Sequence, residues 1–339
     1  MDRGGRRKRT EVRRLSDNDE VEAKHIEQAE LIADHLGLPD DLVEHVHEHL
    51  DELVGGKAPV IWVQGQNCTG CTVTLMDSDK FNPHDLGFGK LSLRYQPDLM
   101  AAQGKLATDI IGETEKNWSG QYVVVLEGAI PTGDGEEYCT FGLSDGTIDL
   151  QGNEVPGNRT IFEWLVEAIP GAKAVLAVGN CASYGGIPMM ESHVTGATAA
   201  TDVVEAIDPT KPVINVAGCP PHPDWVMGTL LCLLLWADNH IKEPEMDDRL
   251  RLGAFYEGKL HDICERRHSF EAKDFLEDWN DVRPDENRCL LKMGCRGPAT
   301  HADCPRRIWS PVSTWCVGMN APCSGCTEPG FSEKLPHLK

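Results

Sequence analysis

The chain has 339 residues, with 54 acidic against 32 basic side chains and a formal charge of -22. That balance argues against a broad phosphate-binding surface, and so against nucleic acid as a partner. At 40% hydrophobic and 25% charged it can build one large domain or two ordinary ones, and its 13 cysteines beside 13 histidines call for a chemical explanation.

Residues 1–20 carry seven Arg and Lys and read as a solvated basic arm. Arg6-Arg7 and Arg13-Arg14 are twin arginines, but polar, acidic sequence follows them instead of an apolar stretch. An export signal is therefore not expected, and the chain reads as soluble and cytoplasmic. From Glu20 to Val54 the spacing of Val43, Val46, Leu50 and Leu53 predicts a helical extension, so residues 1–56 form an arm and extension ahead of the main fold. His45, His47 and His49 on that helix read as a solvated face.

From 57 to 245 short β-branched runs alternate with helical stretches, the signature of an α/β unit with a mostly parallel sheet. Strands are predicted over 59–65, 121–128, 172–180 and 211–218, and helices over 98–116, 159–169, 198–207 and 224–237. The apolar run 226–237 has 12 residues, short of the roughly 20 that cross a bilayer. It reads as a buried helix. From 246 to 339 Cys, Trp, Arg, Pro and Gly dominate without regular periodicity, so something besides secondary structure must organise this region.

The cysteines supply a candidate. Cys68 and Cys71 follow the first predicted strand, Cys181 the third and Cys219 the fourth. In an open parallel sheet those carboxyl ends share one edge, where ligands bind. Four thiolates there suit zinc or a [4Fe-4S] cluster. The C-terminal region adds Cys264, Cys289, Cys295, Cys304, Cys316, Cys323 and Cys326, one short of two four-ligand sites. His261 can supply the eighth ligand through a neutral imidazole, with His268 the alternative. Cys232, inside a leucine run, reads as a small core hydrophobe, and Cys139 as a spare thiol. Glu127 ends a strand towards the same edge, as a group that positions the site's surroundings or as a satisfied structural carboxylate.

The motifs NCTGC, LEGAIPT (126–132), VGNCASYGGIP (178–188), AGCPPHPDW (217–225), MGCRGPATHADCP (293–305) and CSGCTEP (323–329) together resemble the small, electron-transferring subunit of [NiFe] hydrogenases, in consistent order from Val60 to Phe331. The resemblance implies an α/β fold with a flavodoxin-like open parallel sheet over 57–245, and an irregular iron-sulfur domain over 246–339. It implies three clusters: proximal on Cys68, Cys71, Cys181 and Cys219, distal on His261, Cys264, Cys289 and Cys295, and medial on Cys304, Cys323 and Cys326. Common members carry proline where this chain has Cys316, so a fourth sulfur is offered and the medial cluster is expected to be [4Fe-4S], as in the selenium-containing branch and some methanogen relatives. Three [4Fe-4S] clusters of similar potential follow. Gly70 stands where oxygen-tolerant members carry an extra cysteine, so a [4Fe-3S] proximal cluster is not expected.

The same resemblance implies that hydrogen is activated at a Ni-Fe site in a separate large subunit. This chain then conducts electrons between that site and an external redox partner, in a heterodimer or a dimer of heterodimers. Two other readings fit parts of the pattern. One is a zinc-stabilised interaction protein; the other is the cluster subunit of a quinone-reducing complex, which leaves His261 and the seven C-terminal cysteines without a role.

Overall fold

The computed structural model describes residues 59–77, 92–148, 154–190, 194–237, 241–282, 287–309 and 314–334. The basic arm, the predicted helical extension and its three histidines lie outside them.

Five parallel strands form the central sheet: β1 (Pro59–Gln64), β2 (Ser92–Tyr95), β3 (Val123–Glu127), β4 (Ala174–Val178) and β5 (Val213–Val216). Their order is β2-β1-β3-β4-β5, the flavodoxin-like winding, with the switch point between β1 and β3. Register is set by pairs such as Ile61 with Val124, Leu126 with Ala177 and Val178 with Val216. Strands β1, β3, β4 and β5 are apolar along most of their length because both faces are covered. A side-chain period of two sorts them. Ile61, Val63, Val124, Leu126, Val175 and Ala177 pack against helices on one face, and Val60, Trp62, Val123, Val125, Leu176 and Val178 join the core of the other.

The first face is covered by α2 (Lys105–Asn117), α3 (Ile161–Gly171) and α5 (Ala200–Ile207). Helix α3 starts at a reciprocal cap: Thr160 Oγ1 accepts from the Glu163 N–H at 3.1 Å, and the Glu163 carboxylate accepts from the Thr160 N–H at 2.8 Å. Two short helices, α1 (Gly70–Met76) and α4 (Gly179–Tyr184), follow β1 and β4 directly. An antiparallel hairpin of Thr140–Ile148 and Glu154–Thr160, absent from the sequence-based expectation, leads into α3.

Helix α6 (Pro223–Ala237) is apolar nearly all round because it lies in the core between the sheet and the cysteine-rich region. Leu230, Leu233 and Leu235 are each 3% exposed or less, and burial of each contributes roughly 2 kcal/mol. Tyr256, Leu260, Leu290, Ala302, Trp315 and Val317 belong to the same core. Beyond residue 246 the chain therefore shares an interior with one sheet face. Regular elements there are short, including helices at Gly253–Tyr256, Arg267–Glu271 and Cys304–Arg307.

Buried arginines stitch these loops. Arg266 donates to the carbonyls of Arg288 and Val317 and to Asn320 Oδ1 at 2.8–3.0 Å. Arg251 pairs with Asp247 and donates to the Thr327 carbonyl at 2.8 Å. Arg307 bridges Asp303 and Asp224.

Candidate metal centres

All 13 cysteines are free thiols. Twelve of the residues expected from the sequence to hold metal fall into three neighbouring groups, arranged along the chain's own packing.

The first group occupies the carboxyl edge of the sheet. Cys68 lies on the β1–α1 turn, Cys71 in the first turn of α1, Cys181 in the first turn of α4 and Cys219 just beyond β5. Burial pushes the Cys71 thiol well up, and Glu127, Cys181, Cys219 and Cys68 add to it in that order. Cys219 is pushed up to about 11 by burial, then by Cys181 and Cys68. The turn backbone is held open for these sulfurs. Gly179 has φ +89°, and a Cβ there would stand 2.4 Å from Cys71 Sγ. A Gly179→Ala variant is therefore expected to lose the metal of this group while retaining folded α/β structure, as checked by iron analysis beside circular dichroism.

Glu127 closes the base of this group. It is fully buried and accepts from the Trp62 indole N–H at 3.0 Å, the Cys71 N–H at 3.0 Å, the Thr72 N–H at 3.2 Å and the Thr72 hydroxyl at 2.5 Å. Both roles weighed for it from the sequence meet here: it is satisfied structurally, and it fixes the turn that presents Cys71.

A second group gathers Cys304, Cys316, Cys323 and Cys326. Burial pushes the Cys304 thiol well up, and Cys326, Cys323, Asp303 and Cys316 reinforce it. Burial, with smaller contributions from neighbouring sulfurs, takes Cys323 and Cys326 up to about 12. Cys316 sits at the exposed rim with its sulfur acting on both Cys304 and Cys326.

The third group lines an apolar hollow walled by Leu260, Leu290 and Val317, into which His261, Cys264, Cys289 and Cys295 all face. Burial raises the Cys264 thiol, with Cys295 and Cys289 among the groups that add to it. His261 stacks edge-on against Phe270 at 4.5 Å, and its Nε2 is buried without a hydrogen-bond partner. Burial, then Arg267, lowers its pKa, which favours the neutral ring. His268 instead lies exposed, with Nδ1 3.1 Å from the Glu265 carbonyl.

The groups touch in series. Cys219 lies near enough to act on the Cys326 thiol through both its own sulfur and its backbone N–H, and the Cys323 N–H lies 3.4 Å from Cys295 Sγ. The other two cysteines belong to none of these groups. Cys232 is 1% exposed inside α6, and Cys139 packs beside the first sheet face with its sulfur 3.9 Å from the Gln64 carbonyl.

This donor chemistry fits iron-sulfur binding. The buried, mutually facing thiols in these groups, such as Cys71, Cys304 and Cys323, resist losing their protons unless a cationic centre takes up the sulfur, and a buried orphan imidazole nitrogen has a lone pair to offer. Four thiolates on one zinc would stand about 3.8 Å apart, from Zn–S bonds of about 2.3 Å. Among the described residues no three His, Cys, Asp or Glu side chains are close enough to hold a single ion. Sequence reasoning missed Asn180, Arg251 and Arg266, which buttress the ligand loops; each acts across long sequence separations and carries no local signature.

A doubly wound sheet with thiolates at its ligand edge, packed on a cysteine-rich region, defines a metal-bearing subunit of an oxidoreductase. Residues 68–233 match the family described as NADH ubiquinone oxidoreductase, 20 Kd subunit, and residues 256–338 match the C-terminal family of the NiFe/NiFeSe hydrogenase small subunit. The second match separates this chain from quinone-reducing relatives of the first half alone. The periplasmic [NiFeSe] hydrogenase small subunit of Desulfomicrobium baculatum is 37% identical over 279 residues, 82% of this chain and 85% of that protein. The quinone-reactive Ni/Fe-hydrogenase small chain of Wolinella succinogenes is 33% identical, over 82% and 73%. The solved [NiFeSe]-hydrogenase of Dm. baculatum, in its H2-activated form, superposes with a TM-score of 0.74 at 36% identity, covering 83% of this chain and 98% of that one. The chain belongs to the [NiFe] hydrogenase small-subunit family. It is thus one part of a hydrogenase whose catalytic site lies on the large subunit. Because the first relative is named periplasmic, the cytoplasmic expectation gains no support from it.

Proposed function

We propose that this chain relays electrons between the hydrogen-activating site of its large subunit and an external redox partner through three [4Fe-4S] clusters. The proximal set is Cys68, Cys71, Cys181 and Cys219; the medial set is Cys304, Cys316, Cys323 and Cys326; the distal set is His261, Cys264, Cys289 and Cys295. The single observation that carries this reading is the serial adjacency of the three groups, with Cys219 acting on Cys326 and the Cys323 N–H 3.4 Å from Cys295 Sγ. When bound, such clusters supply one-electron carriers whose potentials follow ligand type, charge, hydrogen bonds and exposure.

The protein's own residues do the rest. Trp62, Thr72 and Glu127 hold the proximal turn, the Ile187 backbone N–H offsets part of the rise that burial imposes on the Cys181 thiol, and Leu260, Leu290 and Val317 keep water from the distal set. We assign 57–245 to the proximal-site domain and 246–339 to the medial and distal sites, on one shared core. Among the described residues no helix is long and apolar enough to cross a membrane.

Anaerobic purification with the large subunit should yield a brown heterodimer with about twelve irons in this chain, four for each of three clusters. A colourless protein with stoichiometric zinc would overturn the proposal.

The proximal edge is also where the large subunit is expected to seat. Val73 is 61% exposed and Ile187 48% exposed, and each neighbours a proximal ligand in the chain or through the Ile187 N–H. Large exposed apolar side chains beside exposed Cys68 and Cys219 suit a surface that a partner covers. Val73→Glu should weaken association with the large subunit by roughly tenfold or more, about 1.4 kcal/mol, by burying an unpaired carboxylate. Equal dissociation constants for parent and variant would place the interface elsewhere.

A further inference from the structure

We infer that Asn180 is a positioning residue that fixes the separation between the proximal and medial ligand loops. This rests on the electron-relay reading above and adds to it the element that holds two of its sites in register.

Asn180 immediately precedes the proximal ligand Cys181 and is 1% exposed. Its backbone N–H donates to the Gly218 carbonyl at 2.7 Å, tying it to the residue before the proximal ligand Cys219. Its side-chain Nδ2 reaches across 146 residues to donate to the carbonyl of Cys326, a medial ligand, at 2.9 Å, and to that of Glu328 at 3.0 Å. One residue therefore joins the two proximal loops through its backbone and holds the medial loop opposite through its side chain.

The orientation of the amide is fixed, because exchanging its oxygen and nitrogen would set an acceptor against two carbonyls. That orientation leaves Oδ1 buried without a partner. A half-satisfied buried amide is costly, and the cost is offset only by the two bonds Nδ2 donates. With the medial loop held beside the sheet edge, Cys219 lies near enough to act on the Cys326 thiol.

The other gap is built differently. Between the medial and distal sets the Arg296 N–H donates to the Cys323 carbonyl at 2.8 Å, and the Cys323 N–H faces Cys295 Sγ at 3.4 Å. Those two contacts are backbone donors on neighbouring ligand loops. Side chains also span that gap, Arg296 to the Ser324 carbonyl at 3.3 Å and Arg266 to the Arg288 and Val317 carbonyls, but Asn180 bonds none of them, so the two gaps are separable by substitution at Asn180.

The test uses the anaerobically purified heterodimer and two variants. Asn180→Asp is isosteric and turns both donated bonds into repulsions; Asn180→Ser is smaller and keeps one donor. In reduced samples the magnetic interaction between proximal and medial clusters, read by EPR, should be lost in Asn180→Asp and intermediate in Asn180→Ser. The apparent affinity of the medial site for iron should fall roughly tenfold in Asn180→Asp, the size typical for a group that orients ligands. The distal signal and its potential should stay unchanged, which a general loss of folding would not allow. If Asn180→Asp fails to assemble, an Asn180→Ser protein with parental interaction overturns the inference. So does an unchanged interaction in Asn180→Asp with all clusters present. A parent heterodimer without iron-sulfur signals overturns the relay reading as well, whereas a parent with coupled clusters and indifferent variants overturns this inference alone.

Discussion

A Cys316→Pro variant of the heterodimer should lose about one iron from the medial site, and that site's potential should rise by roughly 100 mV or more, within the range that cluster type commands. The reason lies in the count of sulfurs. Cys304 is acted on by Cys326, Cys323 and Cys316 together, so removing Cys316 leaves three thiolates in place and one corner of the site open. Cys316 sits at the exposed rim of the group, while Cys304, Cys323 and Cys326 lie deeper, so its loss opens the site without collapsing its wall. Three remaining thiolates match a three-iron cluster, and one fewer negative ligand favours the reduced state. A redox titration followed by EPR should reveal a new high-potential three-iron signal. Cys316→Ser, which keeps an oxygen able to bind iron, should fall between parent and proline variant. A proline variant that retains the parental iron content and medial potential would show that Cys316 is not a ligand. Because Cys295 also acts on Cys316, a small shift of the distal potential is expected in both variants.

The sheet was legible because its strands are doubly buried. PVIWVQ, VVVLE, AVLAV and VINV are nearly continuous apolar runs, and each was predicted to within two residues at either end. Ser92–Tyr95 was not, since an edge strand paired on one side and half-buried over three of its four residues carries no such run. The helix predicted from residue 98 begins at Lys105, because Gln96 Oε1 takes up the N–H groups of Asp98 and Leu99 in a turn and Gly104 adopts φ +57°. Cysteine made the site legible, for few structural tasks require so many thiols at strand ends. Division of the C-terminal cysteines between two sites came from family resemblance; spacing did not dictate it. The supports stayed hidden. Arg266 and Asn180 act through contacts 22 to 148 residues away, and a polar side chain that will be buried and satisfied at long range looks in sequence like any surface residue.

Replacing Glu127 by Gln should raise the proximal potential by roughly 40–90 mV while the cluster remains bound. All four groups that face the Glu127 side chain within 3.2 Å are donors, from Trp62, Cys71 and Thr72, an arrangement that suits a carboxylate anion. None of them is a cation that would neutralise the charge, and Glu127 contributes to raising both the Cys71 and Cys181 thiols. Removing one such charge is worth on the order of 1–2 kcal/mol at an effective dielectric of about 20, which for one electron is roughly 40–90 mV. The amide can preserve most of the scaffold. Its oxygen can still accept from the Cys71 and Thr72 N–H groups, and the Thr72 hydroxyl can rotate to accept from the new NH2. The Trp62 indole N–H cannot reverse and is left facing a donor, a cost of about 1–3 kcal/mol in stability. Potential and stability therefore move by separate causes, and Trp62→Phe in the Gln background should restore stability without restoring the potential. An unchanged proximal potential in Glu127→Gln would leave Glu127 as scaffold alone; a lower one would mean that its charge does not reach the cluster in the way the Cys71 and Cys181 environments require.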